Sequence, residues 1–221
     1  MPQVIDLSVL VDDETKGPPS TDVRVRLEPV HRGPGFWQVT HIGQSLHTGS
    51  HVDSPLHVFE NATTMAEVPL SNVIGEAVVL DCTPCEPNHG LGPADFERCN
   101  VELRRGDIVL LRTDWTDRMW GRFPDYFTQS PYLTPEGARW LVERGPKAIG
   151  FDFFEEYSAR LPQFTSEDFV VHRIILGQGI TIMEGLTNLG AITGRRVSFF
   201  GPWYKVAKTE GAQARFFALV D

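Results

Sequence analysis

Three of the chain's seven histidines and one aspartate fall within the stretch His47-Thr-Gly-Ser-His51-Val-Asp53-Ser-Pro55-Leu-His57. No other segment limits the possible folds so sharply. Neutral imidazole is the commonest metal-binding side chain, and carboxylate suits the same divalent ions. The four residues occupy odd positions, so an extended chain would project them from one face. A straight strand, at roughly 3.3 Å per residue, would still hold His47 and His51 about 13 Å apart. Ligands of one ion each lie about 2.0–2.2 Å from it. The segment must therefore curl if these groups share an ion. Gly49 permits unusual backbone angles, and Pro55 blocks a continuing helix. The expectation is a strand running into a tight loop wrapped around a metal. The alternative is a histidine-rich solvated loop, or histidines hydrogen-bonded within a core.

The 221 residues suit one domain spanning 1–221. With 41% hydrophobic and 22% charged residues the chain can bury a core. A formal charge of −9 argues against a nucleic-acid surface, which needs a basic patch. No apolar run approaches the ~18 residues of a membrane span. Met1-Pro2-Gln3 opens without a basic-then-apolar signal segment, so a cytoplasmic protein is expected. The odd count of cysteines, Cys82, Cys85 and Cys99, does not suggest a disulfide framework. Cys82-Thr-Pro-Cys85 is formally a C-x-x-C motif, but Glu86-Pro-Asn-His-Gly-Leu-Gly-Pro93 follows it, which is loop material rather than a helix. A small zinc site from Cys82, Cys85, His89 and Cys99 is an alternative. Ordinary loop cysteines are the expectation.

Strands are expected at Val4–Val9, at Val23–Glu28 with one wet face, and at Phe36–Ile42. Ala77–Asp81 and Asp107–Arg112 read as buried strands, with a short helix at Pro93–Cys99 between them. The aromatic segment Trp115–Phe127 suits a pocket wall, a core or a dimer contact. Leu133–Gly145 is the clearest helix: Thr134 can cap it, Pro135 fits its first turn and Gly145 its stop. Ala148–Phe153 should be a strand, followed by one helix from Thr165-Ser166 through Leu176. Ile180–Glu184, Val197–Phe200 and Ala214–Val220 complete the strands, giving a mixed α/β single domain. Within this scheme His172 sits on a helix among apolar neighbours, where a core histidine is the ordinary reading. Glu184 ends an apolar strand, where an unpaired carboxylate is costly unless a cation or donor meets it.

The first cluster resembles the H-x-G-T-H-x-D-x-P-x-H signature of the cyclase-type metal-dependent hydrolases, a family that includes kynurenine formamidase and isatin hydrolase. Ser50 stands where the family usually has threonine and keeps the hydroxyl. His172-Arg-Ile-Ile-Leu176 and Glu184-Gly-Leu-Thr-Asn-Leu189 are similar to the family's H-R-x-x-L and E-x-L-x-N-L, and Gly106–Thr113 and Leu133–Gly145 look like it as well. The resemblance implies a swivelling β/β/α fold and homo-oligomers, here a homodimer or homotetramer. It implies that His47 and His51 hold a first ion, that Asp53 and Glu184 bridge, that His172 holds a second, and that His57 carries protons. Single-metal members leave the count at one or two ions per subunit. Two departures lie at the substrate end. Lys16-Gly-Pro-Pro-Ser20 replaces a W-P-G-D type loop, and Gly150-Phe-Asp-Phe-Phe-Glu-Glu156 replaces a G-x-D…T-x-S run. Both point away from kynurenine formamidase as the specific activity.

A ligand set of nitrogen and oxygen without thiolate suits zinc or manganese. A divalent ion polarises a carbonyl and lowers the pKa of water, and a nearby histidine shuttles protons at neutral pH. The expected activity is hydrolysis of a small cyclic or N-acyl amide, with metal-activated water attacking the carbonyl and His57 protonating the leaving nitrogen. Lactone or ester hydrolysis, ring closure at the same site, and a non-catalytic metal-binding protein are the alternatives.

Overall fold

Uninterrupted apolar runs decide the centre of the molecule. The computed structural model describes residues 2–220. In chain order the first strands are β1 (Gln3–Asp6), β2 (Arg26–His31), β3 (Gln38–Gly43), β4 (His51–Asp53), β5 (Ile74–Asp81) and β6 (Gly90–Leu91). Helix α1 (Pro93–Arg98), β7 (Ile108–Arg112), α2 (Trp115–Met119), α3 (Asp125–Thr128), β8 (Tyr132–Leu133) and α4 (Pro135–Glu143) follow. The chain continues with β9 (Ala148–Phe151), α5 (Val170–Leu176), β10 (Thr181–Glu184), β11 (Val197–Phe200), β12 (Gly211–Gln213) and β13 (Phe217–Val220).

Nine strands form one sheet in the order β1-β13-β11-β5-β7-β9-β10-β4-β12. Its centre, β5 to β7 to β9 to β10, is parallel. Parallel strands are covered on both faces, so they read as continuous apolar runs. Val78, Leu80, Val109, Leu111, Ile149 and Phe151 point to one core, which α1, α4 and α5 close with Phe96, Leu141 and Ile175. Ala77, Val79, Ile108, Leu110 and Ala148 point to a second core. The antiparallel flank feeds Ile5, Phe199 and Ala218 into that second core, so the sheet curls over its own face. This is the expected mixed α/β single domain. Among the described residues no helix is long and apolar enough to cross a membrane.

Helix α4 forms as its signals predict, with Thr134 Oγ1 accepting from Gly137 N at 3.0 Å. Two expectations need correction. The strand expected at Val23–Glu28 lies instead at Arg26–His31, where it pairs with β3 in a separate two-stranded ribbon. Every β2 residue is exposed, and of the alternating apolar positions Val23, Val25 and Leu27 only Val25, which precedes the strand, is buried. The single helix expected from Thr165 is two pieces. Asp168 accepts from Thr165 N and Oγ1 and closes a 3-10 turn at Ser166–Asp168. The backbone breaks at Phe169, and α5 restarts where Glu156 Oε2 accepts the amides of Val171 and His172. A cap supplied from elsewhere in the chain is invisible to local pattern. The three cysteines are free thiols, Cys82 and Cys85 buried, and no cysteine belongs to a metal-capable cluster among the described residues.

Candidate metal centre

Strand alternation places His51 and Asp53 on one face of β4, while Val52 between them is buried in the second core. The antiparallel register sets His51 directly opposite Glu184 on β10. The straight-strand geometry therefore serves only these two ligand candidates. His47 arrives through a bend at Gly49, whose φ of +66° is the left-handed region. Gly185, at φ +68°, lies so close that a Cβ there would meet Gly49 O at 2.4 Å. Ser50 locks the bend: its hydroxyl donates to Gly185 O at 2.8 Å and accepts from Val9 N at 3.0 Å. His57 follows on a 3-10 turn, Pro55–His57, and its ring stacks on His47 with centroids 4.0 Å apart. His172 comes from α5, across the sheet face from β4. The structure thus brings all six predicted residues, His47, His51, Asp53, His57, His172 and Glu184, into one place.

Three imidazoles share an orientation rule. Each has one nitrogen tied outward and the other turned toward Asp53. His51 Nδ1 donates to Gly49 O at 2.9 Å, and Nε2 lies 3.6 Å from Asp53 Oδ1. His172 Nδ1 donates to Glu156 Oε2 at 3.1 Å, and Nε2 lies 3.7 Å from Asp53 Oδ2. His47 Nε2 meets Glu210 Oε1 at 3.2 Å, and Nδ1 meets Asp53 Oδ1 at 2.9 Å. Metal-ligating histidines are oriented in this way by their outer partners.

The carboxylates divide in a matching manner. Asp53 presents Oδ1 to His47 and His51 and Oδ2 to His172. Glu184 presents Oε2 to His51 at 3.8 Å and Oε1 to His172 at 3.3 Å. Glu155 adds a third carboxylate, with Oε1 3.4 Å from His172 Nε2. Asp53 and Glu155 are fully buried. His51 Nε2, Asp53 Oδ2 and both Glu155 oxygens are buried without a hydrogen-bond partner, and Asp53 Oδ1 has only its contact with His47. Burying such groups unpaired is costly, and a cation between them removes the cost. The residues therefore fit a divalent ion. Their potential ligand atoms fall into overlapping groups, His47–Asp53–His57, His51–Asp53–Glu184 and Glu155–His172–Glu184.

Without a metal, protons do this work. Burial opposes charge on His47, but Asp53 and Glu210 outweigh it and raise its pKa to about 10. Burial also opposes charge on His172, which Glu156, Glu184 and Glu155 hold well above its ordinary value. Burial works against an ionised Asp53, yet His47 and His51 hold it well below the usual carboxylate range. Glu155 is pushed well up, first by burial and then by Glu184. His57 goes the other way: burial, helped by His47 and His172, lowers it to about 4.

The centre opens into a pocket of ≈ 160 Å³ lined by His47, His51, His57, His172 and Glu184. Trp120, Phe127, Phe153, Phe154, Phe164 and Phe169 give it an apolar wall, and Lys16 stands among its lining residues. The aromatic segment thus contributes to the pocket through Trp120 and Phe127, while Trp115 is core. Sequence reasoning missed Glu155, Glu156 and Glu210. A signal existed for the first two: both follow directly on the buried run from Ala148 to Phe154, where a carboxylate is as out of place as Glu184.

A family model described as "Putative cyclase" matches residues 5–155. Kynurenine formamidase of Bacillus mycoides is 25% identical over 185 residues, 83% of this chain and 82% of that protein. Kynurenine formamidase of Bordetella avium is 31% identical over 152 residues, 67% of this chain and 65% of that protein. Among solved structures, isatin hydrolase A from Labrenzia aggregata bound to benzyl benzoate superposes with a TM-score of 0.81 at 27% identity, covering 99% of this chain and 94% of that one. An isatin hydrolase bound to the product analogue thioisatinate shares the fold, with a TM-score of 0.83 at 19% identity over 99% and 92% of the two chains.

Proposed function

The chain belongs to the Cyclase family, and from that membership we propose a metal-dependent hydrolase that opens carbon–nitrogen bonds other than peptide bonds in small cyclic or N-acyl amides. The relatives' names support the bond type, a formamide in one and the cyclic amide isatin in the other. The observation that carries the reading is the set of three imidazoles aimed at a fully buried aspartate whose oxygens have no other partner. A purely structural histidine cluster would satisfy those atoms within the protein.

We assign His47 and His51 to a first ion and His172 to a second, with Asp53 and Glu184 facing both. Zinc and manganese are the candidate metals, and two ions per subunit the candidate count. A bound divalent ion supplies Lewis acidity toward the amide carbonyl and acidifies water. The protein's own groups do the rest. We assign to His57 the transfer of a proton from the attacking water to the leaving nitrogen; burial lowers its pKa to about 4 in the metal-free protein, which keeps the ring unprotonated at pH 7 while making it a weak base. Stacking on His47 and an edge contact with Phe169 keep the imidazole in place. The aromatic wall receives an apolar, ring-bearing acyl or amine portion and limits competing water. A homodimer or homotetramer belongs to the same proposal. Leu27, Val30, Phe36, Trp37 and Ile42, exposed on and beside the β2–β3 ribbon, are what its interface would cover.

The test is reconstitution of metal-free protein with zinc or manganese, followed by a panel of N-formyl arylamines, cyclic aryl amides, lactones and aryl esters. Turnover of an amide only after metal addition is expected. Full activity in protein shown to contain no metal refutes the mechanism. His172→Ala should lower the bound metal from two ions to one. One ion in both proteins would reduce the centre to a single site.

A further inference from the structure

The two proposed ion positions are chemically unequal, and Glu155 makes them so. The first faces His47 Nδ1 and His51 Nε2, with Asp53 Oδ1 2.9 Å and 3.6 Å from them. Glu184 Oε2 lies 3.8 Å from His51 Nε2, so two imidazoles meet two carboxylates there. The second faces a single imidazole nitrogen, His172 Nε2, with Glu184 Oε1 at 3.3 Å, Glu155 Oε1 at 3.4 Å and Asp53 Oδ2 at 3.7 Å. Three carboxylates surround one imidazole. Zinc is served well by few, nitrogen-rich ligands, whereas carboxylate-rich sets suit harder ions of the manganese type.

Glu155 has no other task in the fold. Both its oxygens are buried without a hydrogen-bond partner, although one oxygen of its neighbour, Glu156 Oε2, accepts from three donors. Phe153 and Phe154, which precede it in the chain, belong to the apolar core. A carboxylate in such surroundings needs either a proton or a cation. Proximity favours the cation: Glu155 Oε1 lies 3.4 Å from His172 Nε2, the nitrogen turned toward the proposed second ion.

We propose that Glu155 is a ligand of the second ion and turns that position toward manganese, so that the filled centre is a mixed pair with zinc at His47 and His51 and manganese at His172. This rests on the reading that the pocket holds divalent ions. Zinc outcompetes manganese at an undiscriminating site, so discrimination at the second position has to come from this oxygen set.

The experiment uses the full chain, stripped of metal and loaded with one equivalent of zinc. Manganese is then titrated and followed by its electron paramagnetic resonance signal, with zinc retention measured by elemental analysis. Wild type should take up one manganese ion without losing zinc. Glu155→Gln, nearly identical in shape, should weaken manganese binding by more than the roughly 10–100-fold that loss of an outer partner costs. Its first-position zinc affinity should stay within about twofold. Glu155→Ser should give the same split. Manganese binding unchanged in both variants overturns the proposal, because a neutral hydrogen-bonding side chain would then suffice and Glu155 would be a protonated core acid. Equal loss of zinc and manganese also overturns it. Wild type that binds neither metal removes the broader functional reading as well, which separates the two failures.

Discussion

Glu156 offers the sharpest test of how the centre is positioned. One of its oxygens, Oε2, accepts from Val171 N at 3.0 Å, His172 N at 3.2 Å and His172 Nδ1 at 3.1 Å. Glu156→Ala strands these donors together. An unsatisfied buried donor costs about 1–3 kcal/mol, and water entering the vacated space holds each near the lower bound. The expected loss is roughly 3 kcal/mol of metal-free stability, read by urea denaturation. A second effect is separate from it. His172 loses the partner that fixes its ring, and outer partners of this kind are worth about 10–100-fold in metal affinity. Chelator competition should show that loss at one ion and not at the other. Glu156→Gln keeps an oxygen for the amides but removes the charge, and charge-assisted hydrogen bonds are roughly twice as strong as neutral ones. It should therefore remain folded with a smaller version of the affinity loss. Wild-type affinity for both ions in folded Glu156→Ala protein refutes the positioning argument and leaves Glu156 only a cap for α5.

His57→Ala should cut turnover by roughly 10²–10⁴-fold with metal content unchanged; parallel loss of metal and activity would make it a ligand. Filling the metal-free centre near pH 7.5 should release protons, because the raised pKa of His47, about 10, keeps it protonated there and His172 and Glu155 are shifted in the same direction; calorimetry in buffers of different ionisation enthalpy that shows no proton release contradicts this. The same shifts set the stability of the metal-free protein. The raised His47 and His172 stabilise it fully below the ordinary imidazole value of 6.5, and His47's share is lost as pH rises through about 10. The lowered Asp53 and Glu184 contribute above their ordinary values of 3.8 and 4.5 and are lost on acidification. Denaturation midpoints should therefore peak at about pH 5–6 without metal, and metal affinity should rise across the range where that stability falls. Gly185→Ala would place a Cβ 2.4 Å from Gly49 O; it should lower both metal affinity and melting temperature, and an unaltered melting curve would contradict the close approach.

The first half of the site was legible because its residues are crowded together in sequence, so that His47, His51, Asp53 and His57 announce one another. His172 and Glu184 became legible through a family motif and through the oddness of a carboxylate closing an apolar strand. Glu155 and Glu156 offered the same oddness after the run from Ala148 to Phe154 and were passed over, whereas Glu210 carried no such pattern among 29 acidic residues. Glu210 in particular is recruited by β-pairing: its carbonyl accepts from Ser54 N and Oγ, and the following Gly211 pairs with Asp53. That relation joins residues more than 150 positions apart, which no local reading of propensity reaches. The central strands were readable because burial on both faces leaves an apolar run. The β2–β3 ribbon was misplaced because alternation marks a wet face only when the other face meets a core.

The division of labour between sheet and loops has an evolutionary consequence. His51, Asp53 and Glu184 sit on strands locked by register, whereas part of the substrate wall comes from the connecting segments at residues 16–23 and 161–164. Those segments can be rewritten, lengthened or exchanged without altering a strand pair or the second core. A lineage carrying this scaffold can therefore drift from one amide to another while inheriting its metal chemistry intact. Laboratory libraries confined to the same two segments would explore new substrates at little risk to folding.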